Sequence, residues 1–270
     1  MTADIRTLGR LALTRLPGRG ILAPLFLVLL WELVYRAHLA NPVFLPSVGA
    51  VVDQGVDLVS SGDLWVGLQA SMARYAAGLA IGILLGVGIG LLLGVSRLAE
   101  GLFLPTLDAL KQVSPFALIP LLSFWFGLRE PAKIAFIAFT CVFPILMNTY
   151  EGVRSVAIEH IEVGRAYRFG LGQQLTKIVL PAASPAIFRG LHLGVFFAWL
   201  GTVGAEYFFA AGAGVGNIII DGRNASRMDL VLFGVFVIGL IGYLLNRVVT
   251  RIEGRALHWL RRNHAQEDSV

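Results

Sequence analysis

Nowhere in the 270 residues does a G-x-x-x-x-G-K-[ST] phosphate loop occur, so the chain does not hold ATP in the usual glycine-rich cradle. The five histidines, His38, His160, His192, His258 and His264, lack metal-ligand spacing. No G-x-S-x-G or comparable nucleophile motif is present. The single cysteine, Cys141, excludes an intrachain disulfide and lies inside an apolar run. Charge is scarce as well: 14% of residues are charged and 56% hydrophobic, against about 25% charged in an average soluble domain. No stretch of ordinary soluble composition is long enough to bury its own core. The net charge of +5 does not imply nucleic acid as a partner. The basic residues gather at the ends of apolar runs and form no stripe interleaved with aromatics.

What the chain has instead is long apolar segments. A helix needs about 20 apolar residues to cross the hydrocarbon core. Six segments qualify, at about 21–39, 73–95, 103–126, 132–150, 186–210 and 229–249. Their apolar runs are continuous, whereas the strands of a membrane barrel alternate, so the spans are expected to be helices. The first run is too long for a signal-peptide core and lacks an A-x-A site; it is expected to be a retained span. Lysine and arginine favour one side. Arg6, Arg10, Arg15 and Arg19 precede the first span. Arg97, Arg154, Arg165, Arg168 and Lys177 lie in later loops, and Arg251, Arg255, Arg261 and Arg262 follow the last span. The 40–65 loop holds none. Both termini are therefore expected in the cytoplasm and the 40–65 loop outside.

Three segments carry internal detail. Glycines at 78, 82, 86, 90 and 94 make a small-xxx-small ridge along the second span. Such a ridge serves packing within one chain, a dimer seam or a pore lining. The third span, "LPTLDALKQVSPFALIPLLSFWFG", holds Pro105, Pro115 and Pro120, which break helix hydrogen bonds. Asp108 and Lys111 are i, i+3 neighbours there and can pair; the cytoplasmic headgroup layer is the expected place for them, ahead of a pathway role. The third segment is "EVGRAYRFGLGQQLTKIVLP", Glu162 to Pro181, a polar stretch between two apolar runs. Val163, Ala166, Tyr167 and Gly170 recur at helical spacing, with Glu162, Arg165 and Arg168 on the flank. A short amphipathic helix of this kind docks in a partner's groove or lies on the membrane surface.

That stretch resembles the cytoplasmic "EAA" loop of the permease subunits of bacterial ABC importers, of the nitrate/sulfonate/taurine branch and nearest to aliphatic-sulfonate permeases. Glu162, Val163 and Gly164 stand at the E-A-A positions, and Val179-Leu180-Pro181 matches the ending. "SGDLW" at 61–65, "ALIPLLSFWFG" at 117–127, "FPILMNTYEGVR" at 143–154 and "AE" at 205–206 carry the same resemblance. It covers the chain from about Leu45 onward. One position departs from the pattern: the family glycine six residues after the acid is Arg168. Either the turn moves on to Gly170 and Gly172, or Arg168 adopts a backbone conformation that suits glycine.

The resemblance implies an all-α membrane fold, the type I importer permease, with six transmembrane helices and a cytoplasmic coupling helix. It implies a tail at 1–20, a permease domain at 21–252 with the coupling loop at about 152–181, and a second tail at 253–270. It further implies a homodimer, two separate ATPase subunits that hold the ATP and Mg, and a periplasmic or lipid-anchored binding protein; the chain itself takes no cofactor and does no covalent chemistry. Glu162, Val163, Gly164, Arg165, Ala166, Tyr167, Arg168 and Gly170 are then the ATPase-coupling residues. Candidates for the translocation path or gate are Glu206, Gly194, Gly201, Asn148 and Ser114. Glu206 is a carboxylate near the end of span five, expected to pair with Arg223 or Arg227 or to bond a neighbouring helix. Gly194 and Gly201 belong to a row of small residues that suits a dimer axis or packing within one copy. The expected solute is a small anion such as an aliphatic sulfonate, taurine or nitrate. A heterocycle importer, an ion-coupled transporter and a membrane enzyme are the alternatives; the last lacks a nucleophile or metal constellation.

Overall fold

The computed structural model describes residues 19–209 and 212–256, and all regular structure among them is helical. In chain order the helices are α1 (Arg19–Arg36), α2 (Val48–Ser61), α3 (Asp63–Val95) and α4 (Arg97–Leu110), then α5 (Ile119–Phe126), α6 (Glu130–Arg154) and α7 (Ile158–Ala166). They are followed by α8 (Leu171–Phe208), α9 (Val215–Asn224) and α10 (Met228–Ala256). Four of them, α3, α6, α8 and α10, are long and apolar enough to cross a membrane; the bent pair α4–α5 makes a fifth if it is one span. The first expected span falls on α1, 18 residues long, with Arg19, Glu32 and Arg36 in it. Residues 1–18 and 257–270 of the two expected tails lie outside the described residues.

The core of the bundle is α6 held between α3 and α8. The glycine ridge of α3 lies flat on α6 within one chain. A Cβ added at Gly78 would stand 2.5 Å from Ile137, at Gly86 2.8 Å from Ile145, at Gly90 2.7 Å from the Leu146 carbonyl, and at Gly94 2.5 Å from Val153. At Gly82 it would collide with Cys141 Sγ, which fixes Cys141 as a buried packing residue. The intramolecular alternative is thus the one the fold uses. Small residues also bring α8 onto the other side of α6: Gly152 meets Ala186, and Gly190 meets Asn148. Around these contacts Phe136, Ile137, Ile145, Ala198, Trp199 and Ala205 form the main apolar cluster.

Two short helices were not expected. The 40–65 loop contains α2, whose first turn is capped by Ser47 Oγ accepting from Ala50 N at 3.1 Å. It stops at Gly62 with φ 88°, a left-handed conformation that glycine adopts without strain. Glu32 and Trp31 of α1 tie its start down: Trp31 Nε1 donates to the Pro46 carbonyl at 2.9 Å, and Val48 N donates to Glu32 at 3.1 Å. The second, α9, packs on α10 and on the far end of α8.

Span three is two helices rather than one kinked rod. α4 and the segment Pro115–Phe126 meet at 89°. The bend falls at Lys111–Ser114, not at the prolines. Pro115 and Pro120 each occupy a first helical turn, where a missing N–H costs nothing, and Pro105 sits inside α4.

α8 is continuous over 38 residues, about 57 Å at the α-helical rise, against a hydrocarbon core of about 30 Å. It is therefore longer than a span needs. A wider π turn covers Leu175–Val179, in which Leu180 N–H reaches back five residues to the Leu175 carbonyl. It ends two residues before Pro181, whose ring crowds the carbonyl four residues back, inside the π turn.

Candidate functional site

Two clusters of polar residues sit at opposite ends of the bundle. At the end where α6 finishes, α7 runs from Ile158 to Ala166 and packs back on the π turn through Gly164 and Ile178. Gly164 is its buried position and Ile161 is half-buried. The apolar residues at 158, 163 and 167 face away from the permease: Ile158 is 64% exposed, Val163 54% and Tyr167 74%. Ala166 and Arg165 are exposed, as is Glu162. Among the described residues Glu162 and Arg165 do not pair with each other, so both charges also point outward.

The end of α7 settles the Arg168 question. The Phe169 N–H donates to the Gly164 carbonyl at 2.9 Å and the Arg168 N–H to the Arg165 carbonyl at 2.8 Å. These two bonds make a Schellman terminator, and Arg168 itself holds the left-handed position, φ 54°. The turn has not moved to Gly170, so the expected apolar face loses Gly170, which lies beyond the helix and donates its N–H to Gln173 Oε1 at 3.2 Å. Phe169 is pinned on the far side by Lys177 Nζ, 5.2 Å from its ring centroid. A non-glycine residue at this backbone position costs about 1–2 kcal/mol. Arg168→Gly should therefore stabilise the α7 terminus by a net of about 0.5–1 kcal/mol, since glycine recovers some of that in unfolded-state entropy. Slower amide exchange over residues 163–169 is the expected readout, with Arg168→Val exchanging faster; equal rates for both would show that the terminator is unstrained.

At the opposite end Glu206 is fully buried. Arg223 and Arg227 do not reach it: Arg223 donates to the Tyr207 hydroxyl at 2.6 Å, and Arg227 holds Asp229 at 2.7 Å and also contacts Gln54. The partner is Arg74 of α3, which sequence reasoning passed over. Its Nη1 donates to Glu206 Oε1 at 2.8 Å. Its Nε and Nη2 take Glu130 of α6 in a fork, at 2.5 and 2.8 Å. Ser71 Oγ donates to Glu206 Oε1 at 2.6 Å and accepts from Val215 N at 2.9 Å. Gly216 N–H donates to Glu206 Oε2 at 2.7 Å. Buried Lys133 stands 3.8 Å from Glu130.

Two carboxylates and two cations therefore join α3, α6 and α8 to the N-terminal turn of α9, with formal charges that cancel. The glycines of "AGAGVGN" allow the close approach: a Cβ at Gly214 would stand 2.5 Å from Glu206 Cδ. The expected bond from Glu206 to a neighbouring helix is present, and it is one strand of a wider lock. Such a lock can hold this end of the bundle shut but leaves Glu206 no open face for a solute.

The other path candidates are placed as follows. Gly194 and Gly201 are buried against α6, at Ile145 and Thr140, so they serve helix contact within one copy and not an open lining. Asn148 turns onto its own helix, donating to the Pro144 carbonyl at 2.8 Å. Ser114 is exposed at the α4–α5 bend.

Residues 78–258 match the model of the family described as binding-protein-dependent transport system inner membrane component. A Bacillus subtilis protein named for aliphatic sulfonates transport is 35% identical over 255 residues, covering 92% of each chain. The bicarbonate transport system permease of Synechococcus elongatus is 34% identical, covering 72% of this chain and 68% of its own. The taurine transport system permease of Escherichia coli is 31% identical over 89% of this chain and 88% of its own. Among solved structures, the inward-facing MetNI methionine ABC transporter superposes with a TM-score of 0.63 at 16% identity, over 72% of this chain and 96% of that chain.

Proposed function

The chain belongs to the binding-protein-dependent transport system inner membrane component family, and from that premise we propose how this ABC importer permease is assembled and what it carries. As a permease subunit it is not an enzyme; partner ATPase subunits hydrolyse ATP and a substrate-binding protein delivers solute. The solute proposed is a small anion, a sulfonate, taurine, nitrate or bicarbonate, on the strength of relatives named for those transports. Two copies of the chain form the path. Residues 21–252 make one six-helix permease domain per copy, with 1–20 and 253–270 as cytoplasmic tails and no cofactor in the chain. The α7 end faces the cytoplasm, because Arg97, Arg154, Arg165, Arg168, Lys177, Arg251 and Arg255 gather there.

The observation that carries the coupling role is the outward apolar face of α7. A helix that buries only Gly164 in its own chain and presents Val163, Ala166 and Tyr167 to the outside is built to be gripped by a partner. Glu162, Val163, Gly164, Arg165, Ala166, Tyr167, Arg168 and Gly170 form the gripped segment and its terminator. ATP binding draws the ATPase pair together, moves the two α7 helices and, through α8, opens the far end of the bundle; hydrolysis reverses it.

The test is uptake into proteoliposomes holding the permease, its ATPase subunits and its binding protein, with labelled taurine, methanesulfonate, nitrate and bicarbonate. ATP-dependent uptake of at least one is expected. Uptake that persists without ATP and collapses with an ion gradient would overturn the reading. A cysteine at position 56 should react with an impermeant label added from outside and one at position 170 should not.

A further inference from the structure

Contacts on either side of the α4–α5 bend bracket its level in the bundle. Leu104 and Leu107 of α4 share an apolar cluster with Leu93, Leu146 and Met147. Just past the bend, Phe116 stacks on Phe136 at 5.7 Å and on Phe208 at 5.5 Å. On α6, Phe136 and Leu146 lie about 15 Å apart, and they bracket the midpoint of that 25-residue helix. The residues between Leu107 and Phe116 therefore lie between these two levels, beside the middle of α6 and away from both of its ends.

The side chains there are polar and open. Lys111 Nζ donates to Asp108 Oδ1 at 2.6 Å, and the two side chains remain 35% and 47% exposed. Gln112 and Ser114 are exposed beside them, and the Ser114 hydroxyl caps no helix. Against lipid at mid-depth, an ion pair is costly and irregular backbone is not tolerated; beside water or protein both are. A patch at that level with a cation, a carboxylate, an amide and a hydroxyl therefore faces away from lipid, and its mix of charges and donors suits an aqueous path.

We propose that the α4–α5 bend is an anion-contacting site of that path, in which Lys111 exchanges its bond to Asp108 for one to an oxygen of the passing solute. The proposal rests on the transport reading above. Lysine suits the task because its ammonium is a mobile point charge with three donors on a flexible stem. Asp108 keeps the site neutral when empty and competes for the ammonium when it is filled. An oxyanion is therefore held weakly enough to leave, as conduction requires. Gln112 and Ser114 add neutral donors to the same oxygens.

The experiment uses the full assembly with Ser114→Cys, leaving buried Cys141 in place. Two thiol reagents are compared, sulfonatoethyl and trimethylammonium-ethyl methanethiosulfonate, each rate divided by its rate with a free thiol. The sulfonate reagent should be favoured by up to roughly ten-fold, the effect of a unit charge within about 6 Å in a partly hydrated cavity once Lys111 has turned from Asp108 to the reagent. Adding Lys111→Gln should reverse the order, since Asp108 then stands alone. Reaction with neither reagent, or a preference that survives Lys111→Gln, overturns the site. Wild-type uptake of none of the four anions, with the charge reversal present, would instead refute the proposed solute class, so the two failures are distinguishable.

Discussion

Arg74→Leu should be the most damaging single substitution in the chain, with a loss of about 3–5 kcal/mol. The arginine bonds both Glu130 and Glu206. Without it, Glu206 keeps the Ser71 hydroxyl and the Gly216 N–H, but the two carboxylates, of which Glu206 is fully buried, are left with one cation, Lys133. Replacing both members by apolar residues removes the uncompensated charge, so Arg74→Leu/Glu206→Leu should lose less than the sum of the single losses. Glu206→Gln is milder again, because Arg74 keeps its fork on Glu130. Thermal unfolding of the purified assembly gives the order. If Arg74→Leu unfolds within about 0.5 kcal/mol of the native chain, the range of ordinary surface substitutions, the network does not hold the bundle end.

Glu162→Ala and Ala166→Trp should leave a folded, inserted permease that no longer holds its motor. Glu162 lies on the open flank of α7, where it can accept charge-assisted hydrogen bonds from the ATPase subunit. Each such bond contributes about 1.5–3 kcal/mol, so its loss weakens docking by roughly one to two orders of magnitude. Ala166 is the last helical residue, next to exposed Tyr167. An indole there enlarges the face just where a groove must close on it. Co-purification of the ATPase and vesicle uptake are measured together. Retained motor and normal transport in both variants would place α7 on the membrane surface instead.

Legibility followed the range of the interaction. The long helices were readable because continuous apolar runs need no partner to identify them. α2 was hidden because Val48, Val51, Val52, Val56 and Val59 are β-branched and its neighbours look like turn residues; the cap at Ser47 and the stop at Gly62 were the available signals. Arg74 opens an apolar run and its partners lie 56 and 132 residues away, so no local spacing announces it. The ridge of α3 could be seen, but what it faces could not, since five glycines state only that something comes close. At Arg168 the sequence posed two backbone solutions, and only the hydrogen bonds of Gly164 and Arg165 decide between them. The outward face of α7 was legible as amphipathic; its loss of Gly170 was not, because the helix ends one turn sooner.

The charge network also sets an order of events during synthesis. Arg74 is translated first, Glu130 follows after 56 residues and Glu206 after 132. At 5–20 residues per second, those intervals are about 3–11 s and about 7–26 s. α3 must enter the bilayer with its arginine still unmatched, then receive Glu130 as an interim counter-ion when α6 arrives. Glu206 and the α9 turn close the set last. A half-made chain is therefore held at that stage by the Arg74–Glu130 fork alone, and the nascent protein becomes charge-complete at this end only when its fourth long helix is about to emerge.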